Sequence, residues 1–396
     1  MFKKVIKVAL SDNTHAMKHI CIPKHAYYTT FVYVMSLILF ATSCSTDEIK
    51  DSEFQDSEVE ETEEPEENAE QSNENDEEID IPTSGKVIFD ENFILEEERT
   101  FVNHVLDQNE YEKFINGNGN LEMVTKKIYQ HFNDDFDFII ILSVEETQPE
   151  DLFYGRSHPA QNQVQGLGIG TYDNSASYGS AGRLKSVIYM PRTEYIRNGP
   201  FLHEIVHTWA NKGIMPTTVG GHWGFASTGG QLGGFDELIE MGNNTYKGRL
   251  HNKDGFGTFA NGGNGLPYGN LELYLMGLIG PEELEAVQVA VNPEFGNGAG
   301  VFTADGIDTY TADDLVDEHG ARIPSVQDSQ KAYRALTVII SKTAIDAPKM
   351  EAVRDNLDNF SRKAAPESDW GSLNNFWMAT QGKASFDFEV LDESIK

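Results

Sequence analysis

Two histidines four positions apart, with a glutamate beside the first, restrict the fold of this chain more than any other feature. The segment reads His203-Glu204-Ile205-Val206-His207. Residues four apart lie on one face of a helix, so both imidazoles can point at a single ion. Asn198 is a good helix cap and Pro200 is tolerated in a first turn. We therefore predict a helix over residues 200–211 that stops near Gly213.

The glutamate gives this histidine pair a specific chemistry. Zinc held by three protein ligands keeps a fourth position for water and lowers the pKa of that water to about 7. Glu204 lies one residue past His203, where its carboxylate can reach the water without binding the ion. We predict that His203 and His207 bind Zn²⁺. Glu204 then acts as the general base in attack on a peptide carbonyl and passes the proton to the leaving amine.

A third ligand has to come from another segment, and the sequence leaves its identity open. The compact continuation of such sites, with Gly at 210 and His at 213, is absent because these positions hold Ala210 and Gly213. His222, 15 positions past His207, is the first choice. Glu272, 65 positions past His207, is the alternative, as a carboxylate on a later helix. Further carboxylate candidates are Asp236, Glu237 and Glu240.

Peptide hydrolysis also needs a donor that stabilises the oxyanion of the transition state. Tyr268 is the first choice because it adjoins the segment that contains Glu272. The other candidates are Tyr246, His251 and Tyr274. Ordinary packing or loop anchoring is the alternative explanation for each of these side chains.

Three segments occur together here: residues 203–209, His222-Trp223, and residues 271–277. Their combination resembles a little-characterised group of bacterial HExxH zinc metallopeptidases, and the likeness covers about residues 150–396. The resemblance implies a zincin fold and peptide hydrolysis, without implying any one substrate. Gly224 and Gly269 stand where such proteins often carry Ser, a departure that leaves the metal ligands intact.

We predict an α+β fold of the zincin type, with a mixed sheet packed on the helix that carries the histidines. After Gly213 the chain becomes Gly-rich, so a subdomain boundary near this residue and a loop-rich, mainly helical C-terminal part are expected. Apolar runs predict strands at 136–142, 184–190 and 334–341, and an alternating run predicts an edge strand at 164–170. Helices are predicted at 121–132, 271–279 and 311–320.

Composition divides the chain into three regions. Residues 1–43 combine lysines, a short apolar run and small residues before Cys44, which is typical of a lipoprotein signal peptide. Cys44 is then the predicted lipidation site. Residues 44–84 are acidic and nearly empty of large apolar groups, so we predict a disordered tether. Residues 85–396 have the composition of a folded domain, to which we assign the metallopeptidase.

The net charge of −34 says little about partners, because the tether supplies half of it. Its eighteen Asp and Glu face one Lys, and no basic patch is present for nucleic acid. The two cysteines, Cys21 and Cys44, lie before the predicted domain, so it has no disulfide framework.

Together these features predict an exported lipoprotein of the outer membrane or cell surface, monomeric and anchored in the membrane by its N-terminal lipid. It uses Zn²⁺ to hydrolyse extracellular proteins or glycoproteins, as an endopeptidase. The alternative is a surface binding or adhesion protein with a structural or vestigial zinc site. Glu204 favours the enzyme, since a structural site has no need of a general base.

Overall fold

A mixed β-sheet forms the centre of the protein, whose computed structural model describes residues 85–210 and 213–396. The predicted signal peptide, the lipidation site Cys44 and the acidic tether at 44–84 lie outside the described residues. Every helix in the described ranges is too short or too polar to cross a membrane.

Strands and helices of the described residues are numbered separately in chain order. The strands are β1 (Val87–Asp90), β2 (Phe93–Leu95), β3 (Phe101–Val105), β4 (Phe138–Ser143), β5 (Arg156–Pro159), β6 (Gln161–Asn162), β7 (Tyr172–Asp173), β8 (Ser186–Met190), β9 (Glu237–Gly242), β10 (Thr245–Leu250), β11 (Lys253–Asp254), β12 (Val287–Val291), β13 (Glu294–Phe295), β14 (Val301–Thr303), β15 (Gly306–Tyr310), β16 (Ala332–Ser341) and β17 (Ser385–Asp387). The helices are α1 (Gln108–Ile115), α2 (Leu121–His131), α3 (Tyr195–Asn198), α4 (Phe201–Val206), α5 (Asn270–Met276), α6 (Ala312–His319), α7 (Ala347–Ser361) and α8 (Phe376–Ala379).

The main sheet has the order β1-β2-β3-β16-β4-β8-β5, and β17 also pairs with β16. The four consecutive strands β3, β16, β4 and β8 run parallel to one another. Strand β5 pairs with β8 in the antiparallel direction and forms one edge of the sheet. The predicted mixed sheet is therefore present.

The central strands are apolar on both faces, as expected for parallel strands covered on both sides. In β4, Ile139 and Ile141 point into one core, whereas Phe138, Ile140 and Leu142 point into the other. The first core is closed by α1 and α2, and the second by α4, α5, α7 and α8. Helix α4, which carries the histidine motif, is thus packed against the second face of the sheet.

Several predicted elements are confirmed. The three apolar runs form β4, β8 and β16, and the helix predicted at 121–132 is α2. Helix α6 begins with the expected capping box, in which Thr311 and Asp314 bond to each other's backbone N–H groups. Because β16 lies between β3 and β4, the chain on the two sides of residue 213 contributes to the same sheet.

Two predictions are wrong. Residues 164–170 form no strand, since Gly166 and Gly168 adopt positive φ angles of 79° and 72° that interrupt extended backbone. The C-terminal part is also not mainly helical: nine strands, β9 to β17, follow Gly213 in the described residues. One missed signal is the turn between β9 and β10, where Asn243 and Asn244 adopt left-handed conformations that suit a tight hairpin.

Candidate metal centre

Helix α4 is shorter and begins differently than predicted. Asn198 ends α3 and caps nothing, and Pro200 occupies the position before α4 without a side-chain capping bond. The helix covers six residues and continues into a turn after His207, instead of running to residue 211. All six residues are buried, so packing rather than local propensity holds this helix.

Asn264, from a distant loop, supplies the missing cap. Its Oδ1 accepts from the backbone N–H of Leu202 at 3.1 Å, and its Nδ2 donates to the carbonyls of Ile196 and Arg197 at 2.7 and 2.9 Å. The side chain is 1% exposed. One amide therefore joins the end of α3 to the first turn of α4, which no local pattern in the sequence reveals.

The structure brings three histidines together at this helix. His203 Nε2 lies 3.1 Å from His207 Nε2 and 3.2 Å from His222 Nε2. Ligand nitrogens about 2.0–2.1 Å from a tetrahedral zinc are about 3.3 Å apart, so these two distances suit one ion. All three ligand atoms lie within 4.8 Å of one another. In the described part of the chain, these residues form the one group of His, Cys, Asp and Glu side chains close enough to hold a metal.

Two of these rings are oriented by their second nitrogen. His203 Nδ1 lies 2.8 Å from the carbonyl of Gln231, and His222 Nδ1 lies 3.0 Å from the carbonyl of Gly220. A carbonyl can only accept, so Nδ1 carries the proton and Nε2 presents its lone pair. Burial lowers the pKa of His203 to about 3 and also lowers that of His222, which keeps both rings neutral as ligands.

Glu204 is 5% exposed and lies against β5. A Cβ atom built on Gly155 would come within 2.7 Å of Glu204 Cγ and Oε1, so a larger residue there would displace the Glu204 carboxyl group. Burial raises the pKa of Glu204 to about 8, while a bond from the backbone of Ser157 and the charge of Arg156 oppose the rise. In its ionised form this carboxyl group can accept a proton from water, and in its protonated form it can donate one.

Glu272, the alternative third ligand, lies outside the histidine group and has a different set of partners. Its Oε1 accepts from the backbone N–H of Leu232 at 2.8 Å and from Trp223 Nε1 at 3.2 Å. Its Oε2 accepts from the backbone N–H groups of Gln231 and Gly269, both at 2.9 Å. Burial raises the pKa of Glu272, and these four bonds lower it.

The remaining carboxylate candidates also have other partners. Asp236 accepts from the backbone N–H of His251 at 2.8 Å, and Glu237 pairs with Arg249. Glu240 lies exposed on β9. These carboxylates are therefore not part of the histidine group.

Tyr268, the first choice for an oxyanion donor, is 2% exposed, and its hydroxyl donates to the carbonyl of Leu202 at 3.0 Å. This contact holds α4 from its buried side. A catalytic role for Tyr268 stays a prediction. Tyr246 of β10 stacks on Phe302 of β14, and Tyr274 lies buried in α5.

Aromatic side chains are exposed beside the site. Phe259 packs against His222, with ring centroids 5.2 Å apart, and is 38% exposed. Tyr154, 45% exposed, precedes Gly155 and packs against Tyr195 with centroids 5.6 Å apart. Sequence reasoning missed both, together with Gly155, Gln231 and Asn264, because only the fold places them near the motif.

The donor set is three imidazoles with a carboxyl group beside them, and three histidines are one of the ligand sets found in catalytic zinc sites. Comparison with protein-family models, with curated proteins and with solved structures gives no match to this chain. The assignment of a function therefore depends on the geometry of this centre.

Proposed function

We propose that the protein is a zinc-dependent peptidase whose metal ligands are His203, His207 and His222. The observation that carries the proposal is the convergence of three Nε2 atoms around one point, next to the buried carboxyl group of Glu204. A structural zinc site is usually closed by four protein ligands, whereas three leave a position for water. The proposal also includes a zincin-like arrangement of the sheet and α4.

Bound zinc would supply a Lewis acid and a water of lowered pKa. Glu204 takes the proton of the attacking water and gives it to the leaving amine. Its burial and the bond from the Ser157 backbone hold the carboxyl group in place for this transfer.

Strand β5 supports a peptide substrate. It is the edge strand next to Glu204, and its outer side is not paired with any strand of the described residues. An extended peptide can add to such an edge through backbone hydrogen bonds, which places its carbonyls in a regular register. Endoproteolysis of an unfolded or loop segment is therefore the reaction that we propose.

The cellular setting remains that indicated by the first 84 residues. We propose an exported outer-membrane or cell-surface lipoprotein, monomeric, with Cys44 lipidated and the acidic segment as a tether. Its substrates would be extracellular proteins or glycoproteins. The chemistry proposed at α4 is independent of export, lipidation and the acidic tether.

Glu204→Gln tests the reaction. Purified wild type and variant are analysed for metal by element analysis and incubated with a proteome-derived peptide library read by mass spectrometry. We expect one zinc per chain in both, and cleavage that falls at least about 100-fold in the variant because the general base is lost. Glu240→Gln, on exposed β9, is the matched control and should cleave like the wild type.

Other outcomes separate the alternatives. Zinc in both proteins without cleavage by either would favour a binding or adhesion protein with a structural metal. Absence of zinc from the wild type would overturn the metal centre itself.

A further inference from the structure

Glu272 is a buried carboxylate without a cationic partner among the described residues. Its side chain is 0% exposed, and no Lys, Arg or His of residues 85–210 and 213–396 forms an ion pair with it. A buried charge of this kind is costly unless hydrogen bonds satisfy it fully. The groups that this buried carboxylate binds are therefore of interest.

The four partners of Glu272 are all donors. Three are backbone N–H groups and the fourth is the indole N–H of Trp223. None of these groups can accept a hydrogen bond, so a proton on either carboxyl oxygen would have no partner. This cradle thus places two donors on each oxygen, which offsets part of the rise in the pKa of Glu272 that burial causes.

Backbone contacts connect this cradle to two of the three histidines. Gln231 donates its N–H to Glu272, and its carbonyl oxygen lies 2.8 Å from His203 Nδ1. Trp223 donates to the same carboxylate and directly follows His222 in the chain. The backbone N–H of Trp223 also donates to the carbonyl of Leu232 at 2.9 Å, which fixes the residue in place.

Two glycines make this close approach feasible. A Cβ atom on Gly230 would lie 2.3 Å from Glu272 Oε2, and one on Gly269 would lie 2.3 Å from the carbonyl oxygen of Thr228. The loop from Trp223 to Leu232 therefore packs directly around the carboxylate.

We propose that Glu272 is a positioning residue that sets the metal affinity of the centre, by fixing the Gln231 carbonyl on His203 and the backbone next to His222. The inference rests on the metal centre proposed above and deepens it. Partners that orient a ligand in this way typically change metal affinity 10- to 100-fold when they are removed. Glu272 itself does not touch the metal or a substrate.

The test compares zinc affinity, measured by competition with a chromophoric chelator, in the wild type, Glu272→Gln and Asp137→Asn. Asp137 is a matched control because it is also 0% exposed and accepts several hydrogen bonds, among them one from the Arg334 backbone at 3.0 Å. It lies outside the metal centre, directly before β4. We expect about 10- to 100-fold weaker zinc binding for Glu272→Gln and unchanged affinity for Asp137→Asn.

A second readout needs no metal. Long-range ¹H–¹⁵N NMR spectra of the zinc-free proteins report which nitrogen of His203 carries the proton. The wild type and Asp137→Asn should show the Nδ1–H form, and Glu272→Gln should show a mixture, because Gln231 is no longer fixed.

The outcomes are distinguishable. A folded Glu272→Gln with wild-type zinc affinity overturns this inference and leaves the metal centre intact, whereas a wild type without zinc overturns both. If Glu272→Gln does not fold, Trp223→Phe decides, since it removes one of the four donors. Zinc binding several-fold weaker in Trp223→Phe supports the inference, and equal binding overturns it.

Discussion

Helix α4 differs from α1 and α2, which cover the opposite face of the main sheet, in how its first turn is capped. On one face, α1 and α2 have their own side-chain caps, Asp107 and Asn120. On the other face, α4 has no side-chain cap of its own and depends on Asn264 and Tyr268. Helices α1 and α2 are thus capped by neighbouring residues, whereas α4 is held by contacts that only the complete fold provides. The proposed metal centre lies on the second face.

Of the substitutions that test this difference, we expect replacement of Asn264 to have the largest effect. Replacing it by Ala leaves the Leu202 N–H and the carbonyls of Ile196 and Arg197 without their partner in a buried place. We expect the free energy of unfolding to fall by about 3 kcal/mol, measured by urea denaturation. Zinc affinity should fall as well, because α4 loses its cap. Unchanged affinity would show that α4 is held without this amide.

Tyr268→Phe removes a single bond from the same face. We expect the free energy of unfolding to fall by about 1 kcal/mol, since the Leu202 carbonyl loses one partner. Cleavage should change by less than about 10-fold if the hydroxyl only holds the helix. A loss of about 100-fold or more, at unchanged zinc content, would instead support the oxyanion role.

Asp107→Ala tests the opposite face. The carboxylate accepts from the backbone N–H groups of Asn109 and Glu110 at the start of α1. We expect a loss of up to about 1 kcal/mol in the free energy of unfolding, as for other helix caps. Zinc affinity and cleavage should match the wild type. A change in either would mean that the two faces are coupled through the sheet.

The sequence predicts what local pattern determines. The apolar runs of β4, β8 and β16 are long enough to identify these strands, and helical spacing brings His203 and His207 together. The third histidine could only be ranked first, because a separation of 15 residues through a glycine-rich loop determines no geometry. Its approach to the pair depends on tertiary contacts.

Long-range contacts explain what sequence reasoning missed. A glutamate in the sequence can bind either a metal or backbone N–H groups, so the hydrogen-bond partners of Glu272 could not be predicted. The Asn264 amide reaches α4 from a loop about 60 residues away in sequence. Several strands between Gly213 and β16, such as β9, β13 and β14, are short and partly exposed, and their weak apolar pattern led to the wrong prediction of a helical region.

The position of β16 between β3 and β4 has a consequence for the order in which the fold assembles. Strands β3 and β4 come early in the sequence, but both pair with β16, which follows much later. Until β16 is in place, the two earlier strands have a gap between them, and the face that supports α4 is incomplete. The proposed metal centre would therefore form only after β16 has been inserted between β3 and β4, so that early folding intermediates lack it.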